Sequence, residues 1–337
     1  MKNFSDFLED VVVVDQYIHR DSCNLIYSSQ GCNRNDIYEY LARPGFVRLL
    51  IIYNPVAGQR KRRRFEAVMK ALAAQGAAVT LQATTQRGDA ETFARAARSS
   101  GFDRVVAAGG DGTINEAING LAGSGTALAI VPLGTANVLA AEIGLGGRPA
   151  EIAAAILRGV PRPIALGRIT TAERARRFVM MAGIGFDAQV VARVNPALKR
   201  LTGKFAYVTA SLREMLRDPG LVFRVEIDGR VYRAASAIVA KGHFYGGRFV
   251  ACPDARLDEP ALHVCLFGRT GRLHILRYAA ALALGLLPRL PDVTVVLAQR
   301  VTVDGPPGEP MQADGDSDGR LPATIEVEDR ALTLVYP

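Results

Sequence analysis

Residues 105–117 read Val-Val-Ala-Ala-Gly-Gly-Asp-Gly-Thr-Ile-Asn-Glu-Ala, an apolar run that meets a cluster of glycines and then a helix-forming stretch. Gly109, Gly110 and Gly112 free the backbone to turn sharply and to approach a ligand closely. A helix that follows such a turn points its N-terminal amides into it, and phosphate suits that place. Asp111 stands inside the same turn. A carboxylate among phosphates is repelled unless a cation lies between them, so Asp111 implies Mg2+. The stretch reads as the docking point of a nucleoside triphosphate and its metal at the C-terminal end of a strand. A tight strand-to-helix turn with no ligand is the competing reading.

The same alternation of strand and helix surrounds it. Strand-like Val47–Tyr53 leads to a helix with Phe65, Val68, Met69 and Leu72 on one face. Strand-like Ala78–Ala83 leads to a helix opening at Gly88-Asp89, with Phe93, Ala96 and Ala97 expected inward. After the glycine turn, Ile114, Ala117, Ile118 and Leu121 fall inward, and strand Ala127–Val131 leads to a helix over Ala136–Ile143. Repeated strand–helix units predict a parallel sheet covered on both faces, a three-layer α/β nucleotide-binding domain over residues 46–162. Ligands of such sheets bind at the carboxyl ends of the strands.

Beyond Pro161 the period changes to short alternating stretches: Phe178–Met181, Leu221–Asp228, Val231–Val239, Leu262–Phe267, Val293–Leu297 and Thr324–Val327. Helical segments interrupt them near Tyr207–Leu216 and at Leu273–Leu287, the latter read first as a core-packing helix with lipid contact as the alternative. Residues 163–337 are therefore expected to form a β-rich, sandwich-like domain that supplies the second substrate. Residues 1–45 follow no regular period and are expected to be a loosely attached extension.

Composition narrows the partners. The net charge is +8; residues 1–45 carry four basic against seven acidic side chains, so the remainder carries +11. A basic body suits a nucleotide or an acidic membrane surface. Nucleic acid fits poorly, because tryptophan is absent and no segment interleaves aromatic with basic residues as a stacking platform. Cys23, Cys32, Cys252 and Cys265 form no Cys-x-x-Cys pair, which suits reduced thiols in a cytoplasmic protein. No signal peptide is expected, and the apolar run Tyr278–Leu287 is too short to span a bilayer. The run Lys61-Arg62-Arg63-Arg64, preceded by Arg60, opposes the dipole at a helix start, so an anion is expected to offset it.

Small polar groups cluster at the other strand ends. Asn54-Pro55-Val56-Ala57-Gly58 follows the first strand, Thr84-Thr85 the second, and Pro132-Leu133-Gly134-Thr135-Ala136-Asn137 the fourth, where Thr135 is placed to cap the next helix. Asp187, within Gly183-Ile184-Gly185-Phe186-Asp187-Ala188, could cap a helix starting at Ala188. Asp314–Gly319, read by composition, is an acidic, glycine-rich surface turn.

Asn54–Gly58, Gly109–Glu116 and Pro132–Asn137 are the most specific elements by which the chain, from Val47 to Pro337, resembles the diacylglycerol kinase catalytic-domain family of sphingosine, ceramide and bacterial lipid kinases. The resemblance implies an α/β nucleotide domain joined to a β-rich lipid domain, with an active cleft between them. It implies that ATP is held by Asn54, Pro55, Ala57 and Gly58, by Thr84, by Gly109, Gly110, Asp111, Gly112, Thr113, Ile114 and Asn115, and by Gly134 and Thr135. Asp187 would face the acceptor head group. Asp316, at the end of Asp314-Gly315-Asp316, matches the family's proton-accepting glutamate but is one methylene shorter.

Two departures stand out. Val138 replaces an aspartate of the family's metal network, and the family's Mg2+ loop is here Asp258-Glu259-Pro260, where the Glu259 side chain and the carbonyls of Arg256 and Ala261 would be the ligands; Pro260 restricts that loop because its φ is fixed. The expected activity is transfer of the ATP γ-phosphate to a lipid hydroxyl, of diacylglycerol or a sphingoid or ceramide-like lipid, by a cytoplasmic enzyme held peripherally on the anionic inner leaflet. A homodimer is compatible with the sequence. An NAD kinase, which shares the glycine turn, and a catalytically inactive nucleotide-gated adaptor are the alternatives.

Overall fold

The structure is a computed structural model that describes residues 47–57, 61–193 and 220–337. The extension over 1–45, Gly58, Cys23, Cys32 and the helix expected at Tyr207–Leu216 lie outside the described residues. The chain forms two compact units. The first takes the described residues up to Gly134 together with Ile143–Arg162 and Leu332–Pro337; the second takes Thr135–Glu142 and the described part of Pro163–Ala331.

In the first unit β1 (Arg48–Tyr53), α1 (Arg62–Ala73), β2 (Ala78–Ala83), α2 (Asp89–Ala97), β3 (Arg104–Gly109), α3 (Asp111–Leu121) and β4 (Ala127–Pro132) alternate. The chain passes through α4 (Val138–Glu142) in the second unit and returns as α5 (Pro149–Arg158). The strands are parallel in the order β2-β1-β3-β4, and Thr333 and Leu334 of the last strand extend the sheet beside β4. Both sheet faces are buried, which is why the strands read as continuous apolar runs. Leu49, Ile51 and Tyr53 pack with Phe65, Val68 and Leu72 of α1 and Ile152 of α5. The alternate residues Leu50, Ile52, Val105 and Ala107 are buried too, on the face that α2 and α3 cover.

The inward face of α2 differs from the expected Phe93, Ala96 and Ala97: the buried positions are Ala90, Ala94 and Ala97. Close helix packing selects the smaller side chains. A Cβ on Gly120 of α3 would stand 2.4 Å from the Glu91 carbonyl oxygen and 2.7 Å from the Ala94 Cβ, so only alanine fits against that glycine. The fourth helix is also shorter than Ala136–Ile143. It begins at Val138, after Asn137 at φ 49°, so Thr135 is exposed in the loop and does not occupy the residue before the helix.

The second unit contains β5 (Val160–Thr171, entering from the first unit), β6 (Ala175–Phe178), β7 (Met181–Ile184), α6 (Phe186–Arg193), β8 (Phe223–Ile227), β9 (Arg230–Ala234), β10 (Ser236–Ala240), β11 (Phe244–Tyr245) and β12 (Phe249–Val250). It continues with β13 (Leu262–Phe267), α7 (Arg272–Ala283), β14 (Val293–Ala298), β15 (Arg300–Asp304), β16 (Pro310–Ala313), β17 (Asp316–Arg320) and β18 (Ala323–Tyr336), which from Leu332 onward belongs to the first unit. One antiparallel sheet runs β14-β13-β10-β7-β16-β17. Another pairs β9-β8-β15 with the first half of β18. Val239, Val264 and Met311 of the one share a core with Val225, Val301 and Ile325 of the other, a sandwich.

Three expectations shift here. Phe178–Met181 is split between β6 and β7, because the Asp314 carboxylate accepts the amides of Val179, Met180 and Met181 and bends the chain there. Val231–Val239 divides into β9 and β10 around Ala235, whose amide bonds the Phe267 carbonyl at 2.7 Å. Of residues 273–287, Tyr278, Ala281 and Leu287 alone are buried, so core packing does not explain the leucines of α7.

Candidate active site

The apolar run of β3 ends at Gly109, and Gly110 stands extended before the first residue of α3, Asp111. Missing side chains bring two turns together. A Cβ on Gly109 would lie 2.5 Å from the Thr113 Cβ, and one on Gly110 only 3.3 Å from the Gly134 Cα. The Leu133 amide donates to the Gly109 carbonyl at 2.8 Å and seals the same junction. Asn54 adds the turn after β1: its Nδ2 donates to Thr113 Oγ1 at 2.9 Å, while its Oδ1 accepts the amides of Val56 and Ala57. Pro55 is exposed at the crest of that turn. The Thr84 amide, just past β2, donates to the Tyr53 carbonyl at 2.8 Å.

The C-terminal ends of β1, β2, β3 and β4 thus bring Asn54, Thr84, Gly109–Thr113 and Gly134 to one edge of one sheet. Asp111 and Gly112 reach that surface, whereas Ile114 and Asn115 turn into the core. Sequence reasoning left Lys61 within an undivided basic run. Its Nζ donates to the Gly134 carbonyl; burial lowers its pKa and the Arg64 charge lowers it further, while Asp111 opposes both. A cation, a carboxylate and the exposed first turn of α3 make this edge fit a metal-bound polyphosphate.

The second unit assembles another cluster. Asp187 is the second residue of α6, so the helix starts ahead of Ala188. Its carboxylate accepts the Tyr245 hydroxyl at Oδ1 and the Gln312 Nε2 at 2.6 Å on Oδ2. Burial raises the Asp187 pKa against the pull of these two hydrogen bonds. Gly183 leaves the room, since a Cβ there would stand 1.9 Å from Asp187 Oδ2. Gln312 then reaches onward, its Oε1 accepting the Gly315 amide at 2.8 Å.

Asp314 and Gly315, at φ 49° and 82°, form the two-residue turn of the β16–β17 hairpin, with Ala313 opposite Asp316. This is the Asp-Gly pattern that a primed hairpin turn favours. Asp314 is a structural clamp, and Asp316, half-buried at the first position of β17, is the carboxylate the hairpin presents. Tyr245 and Gln312 complete the cluster without leaving a motif of their own in the sequence.

The loop expected to hold a second Mg2+ is occupied by the chain itself. Lys241 is fully buried and its Nζ donates to the Arg256 carbonyl. Burial pushes its pKa down to about 8, against the attraction of Glu259, Asp258 and Glu142. Glu259 Oε2 also lies 3.1 Å from His263 Nε2. Among the described residues no group of three or more His, Cys, Asp or Glu side chains gathers to hold a metal. A resident ammonium on one ligand and an imidazole on another do not suit a cation bound by Arg256, Glu259 and Ala261.

Residues 48–169 match the model of the diacylglycerol kinase catalytic domain, and residues 180–336 that of the YegS C-terminal NAD kinase beta sandwich-like domain. The chain is 33% identical over 254 residues to the diacylglycerol kinase of Mycobacterium tuberculosis (strain CDC 1551 / Oshkosh), covering 74% of this chain and 82% of that protein. It is 28% identical over 296 residues to the diacylglycerol kinase of Bacillus subtilis (strain 168), covering 86% and 96%. A crystal structure of a diacylglycerol kinase from Bacillus anthracis str. Sterne shares the fold at a TM-score of 0.70 and 24% identity, over 88% of this chain and 99% of that one.

Proposed function

Because the chain belongs to the diacylglycerol kinase family and is a lipid kinase, we propose that it transfers the γ-phosphate of ATP to the free hydroxyl of diacylglycerol at the inner membrane leaflet. Phosphoryl transfer asks a protein chiefly for alignment and for neutralising charge. The turn Gly109–Thr113, tied to Asn54 and backed by Gly134, receives the triphosphate beside Lys61. Mg2+ held through Asp111 would neutralise charge on the transferring group. In the second unit Asp187 orients the acceptor, and Asp316 takes the proton of the attacking hydroxyl.

One observation carries this reading: Gln312 joins the Asp187 carboxylate to the turn that presents Asp316, although Asp187 lies 125 residues earlier. A shared bridge gives the acceptor's orienting group and its base a fixed relation. The test offers γ-labelled ATP and Mg2+ with detergent micelles of diacylglycerol, sphingosine, ceramide or an isoprenoid alcohol, and NAD in parallel. Label is expected on diacylglycerol. Label on NAD alone, or on another lipid in preference, refutes the proposal.

A further inference from the structure

One face of the second unit is apolar and bordered by arginines. At about 100° per residue, Leu273, Leu276, Ala280 and Leu284 fall on one side of α7 and its end, opposite the buried Tyr278. Leu273 is 81%, Leu276 50% and Leu284 71% exposed. Leu286, just beyond, is 38% exposed. Between Arg269 and Pro291 the sequence holds four arginines and neither aspartate nor glutamate.

The platform under this face is fixed. The Arg277 guanidinium and the Tyr278 hydroxyl both donate to Asp292 Oδ2, the latter at 2.5 Å. The Tyr278 ring meets Phe267 edge-on, with centroids 5.0 Å apart. Helical leucines held outward by a buried tyrosine anchor are a surface feature of the fold, not the fraying of a helix end.

We infer that this face of α7 lies on an anionic lipid bilayer, with the leucines at the acyl boundary and Arg272 and Arg289 among the phosphate head groups. The inference rests on the lipid-kinase reading and deepens it, since it names the surface by which the enzyme reaches a substrate that stays in the membrane. A helix that exposes leucines to solvent beside arginines suits the plane of the interface. At 12 residues α7 cannot cross, and no described helix is long and apolar enough to do so. Charge decides between occupants. A second copy docked through the same face would set arginines against arginines, since the nearest carboxylate in sequence, Asp292, is already engaged by Arg277 and Tyr278, whereas an anionic bilayer offers phosphates throughout.

The test is sedimentation of the whole protein with vesicles of equimolar phosphatidylglycerol and phosphatidylcholine, without nucleotide. Leu273→Gln/Leu276→Gln/Leu284→Gln is expected to weaken partitioning at least about tenfold while its melting temperature and its kinase activity in detergent micelles stay at wild-type level. Arg272→Gln/Arg289→Gln is expected to weaken it about tenfold at low salt and little at high salt. Equal partitioning of the leucine variant and the wild type overturns the inference. So does light scattering that finds a wild-type dimer broken by the same three substitutions with vesicle binding intact. Failure of the kinase reading is a separate event, seen as unlabelled lipid in micelles, where no bilayer is present.

Discussion

The glycine turn after β3 and the Asp314-Gly315 turn after β16 each present a carboxylate, but they are built on opposite plans. Gly109–Thr113 is closed chiefly by backbone and by the absence of side chains: the Leu133 amide on the Gly109 carbonyl, and Gly110 against Gly134, with Asn54 adding a side-chain tie at Thr113. The second turn is closed by side chains from distant segments. Asp314 takes three amides between β6 and β7, and Gln312 holds the Gly315 amide with one end and Asp187 with the other. A turn made of missing atoms is sensitive to anything added; a turn made of side-chain bridges is sensitive to anything removed.

The difference sets the predictions. Asp111→Asn is expected to reduce turnover about 10²–10³-fold with the apo protein's melting unchanged, because the carboxylate proposed to hold Mg2+ against the triphosphate is lost; a comparable fall in melting temperature would place Asp111 among the structural residues. Lys241→Met strips the donor from the Arg256 carbonyl and the positive charge from among Glu259, Asp258 and Glu142. A loss of about 3 kcal/mol is expected in urea melts. A wild-type melting temperature raised by Mg2+ without nucleotide would instead show that the loop takes a metal.

Smaller effects probe the two plans directly. Gly110→Ala sets a Cβ 3.3 Å from the Gly134 Cα, so the KM for ATP is expected to rise about tenfold with a stability loss of about 1 kcal/mol; an unchanged KM would break the comparison. The smallest effect concerns Asp187. Burial raises its carboxyl above the ordinary 3.8, so its contribution to folding is full below that pH and falls away as pH rises through the folded value. The stability of the wild type relative to Asp187→Asn is therefore expected to decline as pH rises above 3.8 in denaturant melts. A difference independent of pH contradicts the burial argument.

The same contrast explains what the sequence makes legible. The parallel sheet is readable because its strands are buried on both faces and stay apolar throughout, and the edge proposed for the nucleotide because contiguous glycines and an asparagine form it. Tyr245 and Lys241 leave no such trace. Each acquires its role from a partner elsewhere in the chain, Asp187 for the tyrosine and the 256–259 loop for the lysine. Phe178–Met181 reads as one strand, and the bend that divides it comes from Asp314, more than a hundred residues away. Helix faces follow this logic too: periodicity places Phe93 inward, but the glycine facing α2 selects Ala94. The leucines of α7 read as core by composition alone, and exposure corrects them.

The account stands or falls on Asp316 as the proton acceptor at the end of the Asp187–Gln312 bridge. The most direct measurement is the single-turnover rate of phosphate transfer to diacylglycerol by Asp316→Asn, with ATP binding measured in parallel. A rate about 10²–10⁴-fold below wild type at unchanged ATP affinity is the predicted result. A rate equal to the wild type's would contradict it.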